Sequence, residues 1–75
     1  MTYYVDATEL RKAMIDKDFT TIESLSNASG VNRNTISDIL SGKSRPSSAV
    51  IERLSDTLGF DGETIGRIFF KQILA

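Results

Sequence analysis

Arg33, Asn34, Ser37 and Asp38 are polar side chains spaced so that a helix gathers them on one side: Ser37 lies four residues beyond Arg33, and Asp38 four beyond Asn34. They offer a guanidinium fork, a carboxamide, a hydroxyl and a carboxylate. This set makes directional hydrogen bonds. It does not suit bond-breaking chemistry. Acid–base and nucleophilic work at neutral pH draws mostly on histidine or cysteine, and the chain has neither. Its ten carboxylates do not cluster in an apolar setting that would tune one of them. Gly42-Lys43-Ser44 looks like the end of a phosphate-binding loop, but that pattern needs a glycine five residues earlier, where Ser37 stands. The residues speak for recognition rather than turnover. No enzyme activity, cofactor, metal or small-molecule substrate is expected.

A helix must carry these groups, and the chain is punctuated for five helices. Asp6 and Glu9 form a start signal, and Ala7, Leu10 and Met14 follow at helical spacing with Ile15 beside them, which predicts a first helix from Ala7 to Lys17 or Asp18. Thr20 with Glu23 makes a capping box for the second helix, with Thr21 as the alternative cap. Leu25 and Ala28 are its expected buried face, and Gly30 stops it. Asn32 caps a third helix from Arg33 to Leu40 or Ser41, with Ile36 and Ile39 inward and Gly42 at its end.

Lys43-Ser44-Arg45-Pro46 is a loop, because proline blocks helix propagation there. Ser47 or Ser48 caps a fourth helix with Val50, Ile51, Leu54 and Leu58 as its stripe and Gly59 at its end. Asp61 caps a fifth, where Ile65, Ile68, Phe69, Gln72 and Ile73 share a face and Phe70 and Leu74 fall beside it. No run alternates with a strand's period over more than a few positions. The expected fold is all-α, a compact five-helix domain.

The 75 residues suffice for one domain, 1–75, with a small core; 40% are hydrophobic, enough to fold rather than stay disordered. With no cysteine, neither a disulfide nor a thiolate metal site contributes. Residues 1–6 lack a basic stretch and a long apolar run, so no secretory signal and no membrane association is expected, and the cytoplasm is the default. The glycosylation sequon Asn27-Ala28-Ser29 carries no weight without secretion.

The turn Ser29-Gly30-Val31-Asn32 is short enough to make the second and third helices cross steeply, with Ser26 as the small residue at the crossing. Leu25, Val31, Ile36 and Ile39 then wedge the pair onto the rest of the domain. The outer face of the third helix is left polar, and an exposed helix with a hydrogen-bonding first turn has the shape of a major-groove reader. Arginine can bridge a guanine edge and asparagine an adenine.

The run from Gly30 through Ser47, with Leu54 and Leu58-Gly59-Phe60, resembles the lambda-repressor-like, Cro/XRE helix-turn-helix family. The likeness covers roughly residues 7 to 60. It implies a lambda-repressor-like fold with the helix-turn-helix at helices 2 and 3. It also implies that Asn32, Arg33, Asn34, Ser37 and Asp38 sit where family members touch bases or nearby phosphates. By the same likeness Thr21 lies at a backbone phosphate, as do the loop residues Lys43, Ser44 and Arg45.

Some positions depart from the family pattern. Ile22 and Leu40 stand where polar side chains are frequent, and Asp38 puts a negative charge on the reading face. The net charge is −1 and the pI about 5.2. Residues 20–45 carry Arg33, Lys43 and Arg45 against Glu23 and Asp38, a net of +1, thin for neutralising several phosphates. Two readings therefore share one surface. One is a regulator of the phage repressor/Cro type, a homodimer on operator DNA in a bacterial host. The other is an antirepressor that uses the same fold to bind a partner repressor. Plainer uses also exist: Asn32 as a cap, Lys43 and Arg45 as complements of a helix dipole, Arg33 and Asp38 as solvated charges. The apolar excess of the fifth helix marks Phe69, Phe70, Ile73 and Leu74 as an expected protein interface.

Overall fold

The computed structural model describes residues 3–72. Along the chain run β1 (Tyr3–Tyr4), α1 (Ala7–Asp16), α2 (Ile22–Ser29), α3 (Arg33–Ser41), α4 (Ser48–Leu58), α5 (Gly62–Phe69) and β2 (Lys71–Gln72). The strands pair antiparallel, Tyr3 opposite Gln72 and Tyr4 opposite Lys71. The all-α expectation holds for the body of the domain, with this strand pair added.

Each helix starts at a side chain that satisfies an otherwise orphaned amide. Asp6 Oδ1 accepts from the Glu9 N–H at 3.2 Å, Asn32 Oδ1 from Asn34 at 2.8 Å, Ser47 Oγ from Val50 at 3.2 Å and Asp61 Oδ1 from Thr64 at 2.8 Å. In α2 the cap is Thr21, not Thr20, and the box partner is Ser24, not Glu23: Thr21 Oγ1 accepts from the Ser24 N–H at 3.1 Å, and Ser24 Oγ accepts from the Thr21 N–H at 3.4 Å. Starting one residue later places Ile22, Leu25 and Ser29 along the inner side. Ala28 is exposed, against expectation. Helix α1 stops at Asp16, just short of the expected end. Asp18 adopts a left-handed conformation with φ +63°, which aspartate tolerates better than most residues. The reversal lets the Phe19 N–H bond the Met14 carbonyl at 2.8 Å and packs Phe19 against the core.

All five helices feed one core. Leu10, Leu25, Ile36, Ile39, Leu54 and Ile68 are essentially inaccessible to solvent. Helix α2 packs on α3 and α4, and α1 on α3 and α5. The helix-turn-helix is thus held from behind by α1 and α4, and α5 packs on both of these.

The fifth helix does not continue through Gln72. It ends at Phe69, and the chain straightens through Phe70 into β2. The cause is the N-terminal segment alongside: the Asp6 N–H bonds the Ile68 carbonyl at 2.7 Å, and Lys71 Nζ reaches Asp6 Oδ2 at 2.7 Å. Phe69 is only 3% exposed and belongs to the core, so it is no interface residue; Phe70 is 47% exposed and packs edge-on against Tyr3. Ile73 and Leu74 lie outside the described residues. Among the described residues no helix is long and apolar enough to cross a membrane.

Asp6 is held below the ordinary carboxylate range, first by the hydrogen bond from Lys71 and next by the Glu9 amide. A carboxylate with a lowered folded pKa contributes stability that is complete above its unfolded value and is lost as pH falls through the folded one. Wild type should therefore lose thermal stability progressively below about pH 4, relative to Asp6→Asn, which has no charge to lose. Parallel melting curves of the two proteins from pH 6 to pH 2 check this. A difference that stays constant with pH would remove Asp6 as a source.

Candidate nucleic-acid interface

The turn between α2 and α3 is built from small residues. Gly30 closes α2 with φ +76° and donates to the Ser26 carbonyl at 2.9 Å. A side chain at that φ would be strained. Ser26 is more than a small residue at a crossing: its hydroxyl donates to the Val31 carbonyl at 2.6 Å. Ser29 Oγ donates to the Leu25 carbonyl at 2.7 Å and accepts from the Val31 N–H at 3.2 Å. Val31 is buried just beyond. The two serine hydroxyls and the Gly30 and Val31 amides are thus bonded within α2 and the turn, which fixes how α3 leaves it.

Helix α3 then divides into two faces. Ile36, Ile39 and Leu40 are buried, while Asn32, Arg33, Asn34 and Ser37 are exposed and Asp38 is half-buried. The expected reading residues therefore do share one outer face. Asn32 spends its carbonyl oxygen as a cap but keeps both amide donors. Thr21 caps α2 as an acceptor only, so its hydroxyl hydrogen remains available at the adjoining helix start. Beyond α3, the Lys43 and Ser44 amides fold back onto the Asp38 carbonyl at 2.9 and 3.4 Å, and Lys43, Ser44 and Arg45 are exposed.

Two departures from the family pattern have structural explanations. Leu40 is 6% exposed and Ile22 packs against the core, so neither is an apolar contact offered to a partner. Asp38 remains as the carboxylate on the α3 surface.

One cation was not expected here. Arg53 of α4 reaches across to the Gly30 carbonyl at 3.4 Å and stands beside the start of α3. In the sequence it is only a polar position between Val50 and Leu54, with no local signal tying it to a turn 23 residues away. The charges are also segregated. The ion pairs found among the described residues join Glu9 to Lys12 and Arg67, and Asp6 to Lys71, all on the side of α1, α5 and β2. Arg33, Lys43, Arg45 and Arg53 take part in none of these pairs. Residues 20–45 together with Arg53 carry four cations against Glu23 and Asp38, a net of +2 in a chain of net charge −1.

The arrangement presents a rigid helix with a hydrogen-bonding outer face, flanked by a helix start at Thr21 and a cationic loop at Lys43–Arg45. Such a helix enters a major groove while its flanks hold backbone phosphates. No set of three or more acidic side chains that could hold a metal ion occurs among the described residues. Over residues 9–65 the chain matches the family described as Cro/C1-type HTH DNA-binding domain. No curated protein and no solved structure matches it.

Proposed function

Since the chain belongs to the Cro/C1-type helix-turn-helix DNA-binding domain family, we propose that it is a transcription regulator of the phage repressor/Cro type that binds operator DNA through α3. The observation that carries this reading is the outer face of α3, where Arg33, Asn34 and Ser37 stand exposed beside a turn already bonded through Ser26 and Ser29. Arg33 is suited to the paired acceptors of a guanine, Asn34 to an adenine, and Thr21, Lys43, Ser44 and Arg45 to phosphates. The protein acts in the cytoplasm of a bacterial host. Two copies would meet a two-fold operator, with Ile15 and Phe70 among the exposed apolar groups available for their contact.

A second reading has one observation in its favour. Asp38 lies half-buried on the α3 surface without an ion pair among those found. On DNA a carboxylate there has one good use, accepting from a cytosine amino group. Against the basic surface of a partner repressor it has many, which is the antirepressor reading.

Asp38→Asn separates the two. For an operator reader, the change relaxes preference at one base pair by roughly 1–3 kcal/mol. For an antirepressor, it weakens the hold on the partner and raises nonspecific DNA affinity. Both affinities are measured for both proteins at one fixed salt concentration, with duplex DNA from the gene's own control region and with the neighbouring regulator. Tight, selective binding of wild type to the duplex alone would eliminate the antirepressor reading. Indifference to the duplex, with tight binding to the regulator, would eliminate the operator reading.

A further inference from the structure

A cleft of about 440 Å³ lies between β1 and the loop that follows α3. Tyr3 and Tyr4 line one side, and Gly42, Lys43, Ser44 and Arg45 the other. None of the residues lining it is acidic. Among the described residues, the ion pairs and side-chain hydrogen bonds found do not engage the tips of Lys43 or Arg45, or either phenol. In a chain of net charge −1, the residues around this cleft include two cations and two tyrosines and no acid.

We propose that this cleft holds a backbone phosphodiester of the bound duplex, with Lys43 and Arg45 supplying charge and the two β1 tyrosines supplying neutral hydrogen bonds. The proposal rests on the reading that α3 meets DNA, and it extends the contact surface to a strand outside the helix-turn-helix. The placement supports it. Ile39 and Gly42 form part of the cleft, so it flanks the C-terminal end of α3. Arg33 lies at the other end, about 13 Å away along a nine-residue helix. A nucleic-acid backbone bordering the groove that receives α3 would pass over the cleft. A phosphate there would meet an aromatic hydroxyl on one wall and an ammonium or guanidinium on the other. In the closed form β1 is held by its pairing with β2 and by the edge-on contact of Tyr3 with Phe70, 6.0 Å between ring centres.

The chain contains two tyrosines and no tryptophan, and both tyrosines line this cleft. Biosynthetic 3-fluorotyrosine therefore gives two fluorine resonances, both from the β1 wall of the cleft, with no background from DNA. The probe is a 20-base-pair duplex from the gene's own control region. On saturation both resonances should shift. Tyr3→Phe and Tyr4→Phe, which leave the ring packing in place, should each weaken binding about fivefold. A neutral donor releases no counterion, so the slope of log K against log salt should stay as in wild type. Lys43→Ala or Arg45→Ala should reduce that slope by about 0.9.

If the duplex binds in an Arg33-dependent way while neither resonance moves, or while both phenylalanine variants bind as wild type, the cleft is not a phosphate site and the α3 reading stands. If wild type shows no affinity for duplex DNA at low salt, the α3 reading fails and the proposal fails with it.

Discussion

Ile36→Ala removes most of the native population under mild denaturing conditions. Ile36 is fully buried at the centre of α3 and packs in the cluster that joins it to the other helices. Truncation of a buried isoleucine to alanine costs about 2–5 kcal/mol, through lost transfer energy and the cavity left behind. A domain of this size has a total stability of only about 4–11 kcal/mol, so the loss is a large fraction of the whole. In urea titrations followed by circular dichroism, the midpoint should fall well below that of wild type with the slope retained. An unchanged midpoint would mean that α3 is not anchored through Ile36. Any binding lost in this variant is lost through folding, which makes it the control for the next one.

Arg33→Ala lies three residues away, at the exposed start of the helix, and should behave in the opposite manner. The side chain is exposed and occupies the first position of α3. A positive charge at a helix N-terminus is opposed by the helix dipole, and alanine is the better helix former, so stability should hold or rise slightly. Binding should fall by about 1–3 kcal/mol, a factor of roughly 5 to 150, whether the target is a base edge or a protein. Against DNA the loss should be concentrated at one base pair. Titrations at a single salt concentration, paired with melts of both proteins, separate the two effects. A variant that melts like wild type and binds its target equally well would remove α3 as the binding surface.

The helix-turn-helix was legible in the sequence because its determinants are local. A capping asparagine, a glycine at each helix end and apolar residues at helical spacing are short-range signals, and Asn32, Gly30, Gly42, Ile36 and Ile39 take the places they indicate. The choice of Thr21 over Thr20 was ambiguous because adjacent threonines are equivalent locally; burial of Ile22 and Leu25 decides it. The end of α5 was not legible. Ile65 to Leu74 reads as an apolar helix, and what stops it is a partner strand nearly seventy residues earlier. Phe69 was misassigned for the same reason: an apolar excess does not say which of its members face inward. Arg53 beside Gly30 is likewise a contact made by packing of α4 on α2. The grouping of Arg33, Asn34, Ser37 and Asp38 on one side was legible. The addition of Arg53 to the cations beside that face was not.

The pairing of β1 with β2 has a kinetic consequence. Helices α2 and α3, like α4 and α5, are neighbours in the chain that pack on each other, and such contacts form quickly. The strand pair must close a loop that spans nearly the entire sequence for two residues of ladder and one exposed lysine clasp. It is therefore the last part to assemble and the first to open, a small cooperative unit that comes apart while the helical core stays intact. The tyrosine wall of the cleft beside Lys43 and Arg45 opens with it. A phosphate seated there would bind the closed form alone, so occupancy at the DNA would slow solvent exchange of the amides in both terminal segments, far from the groove that α3 reads.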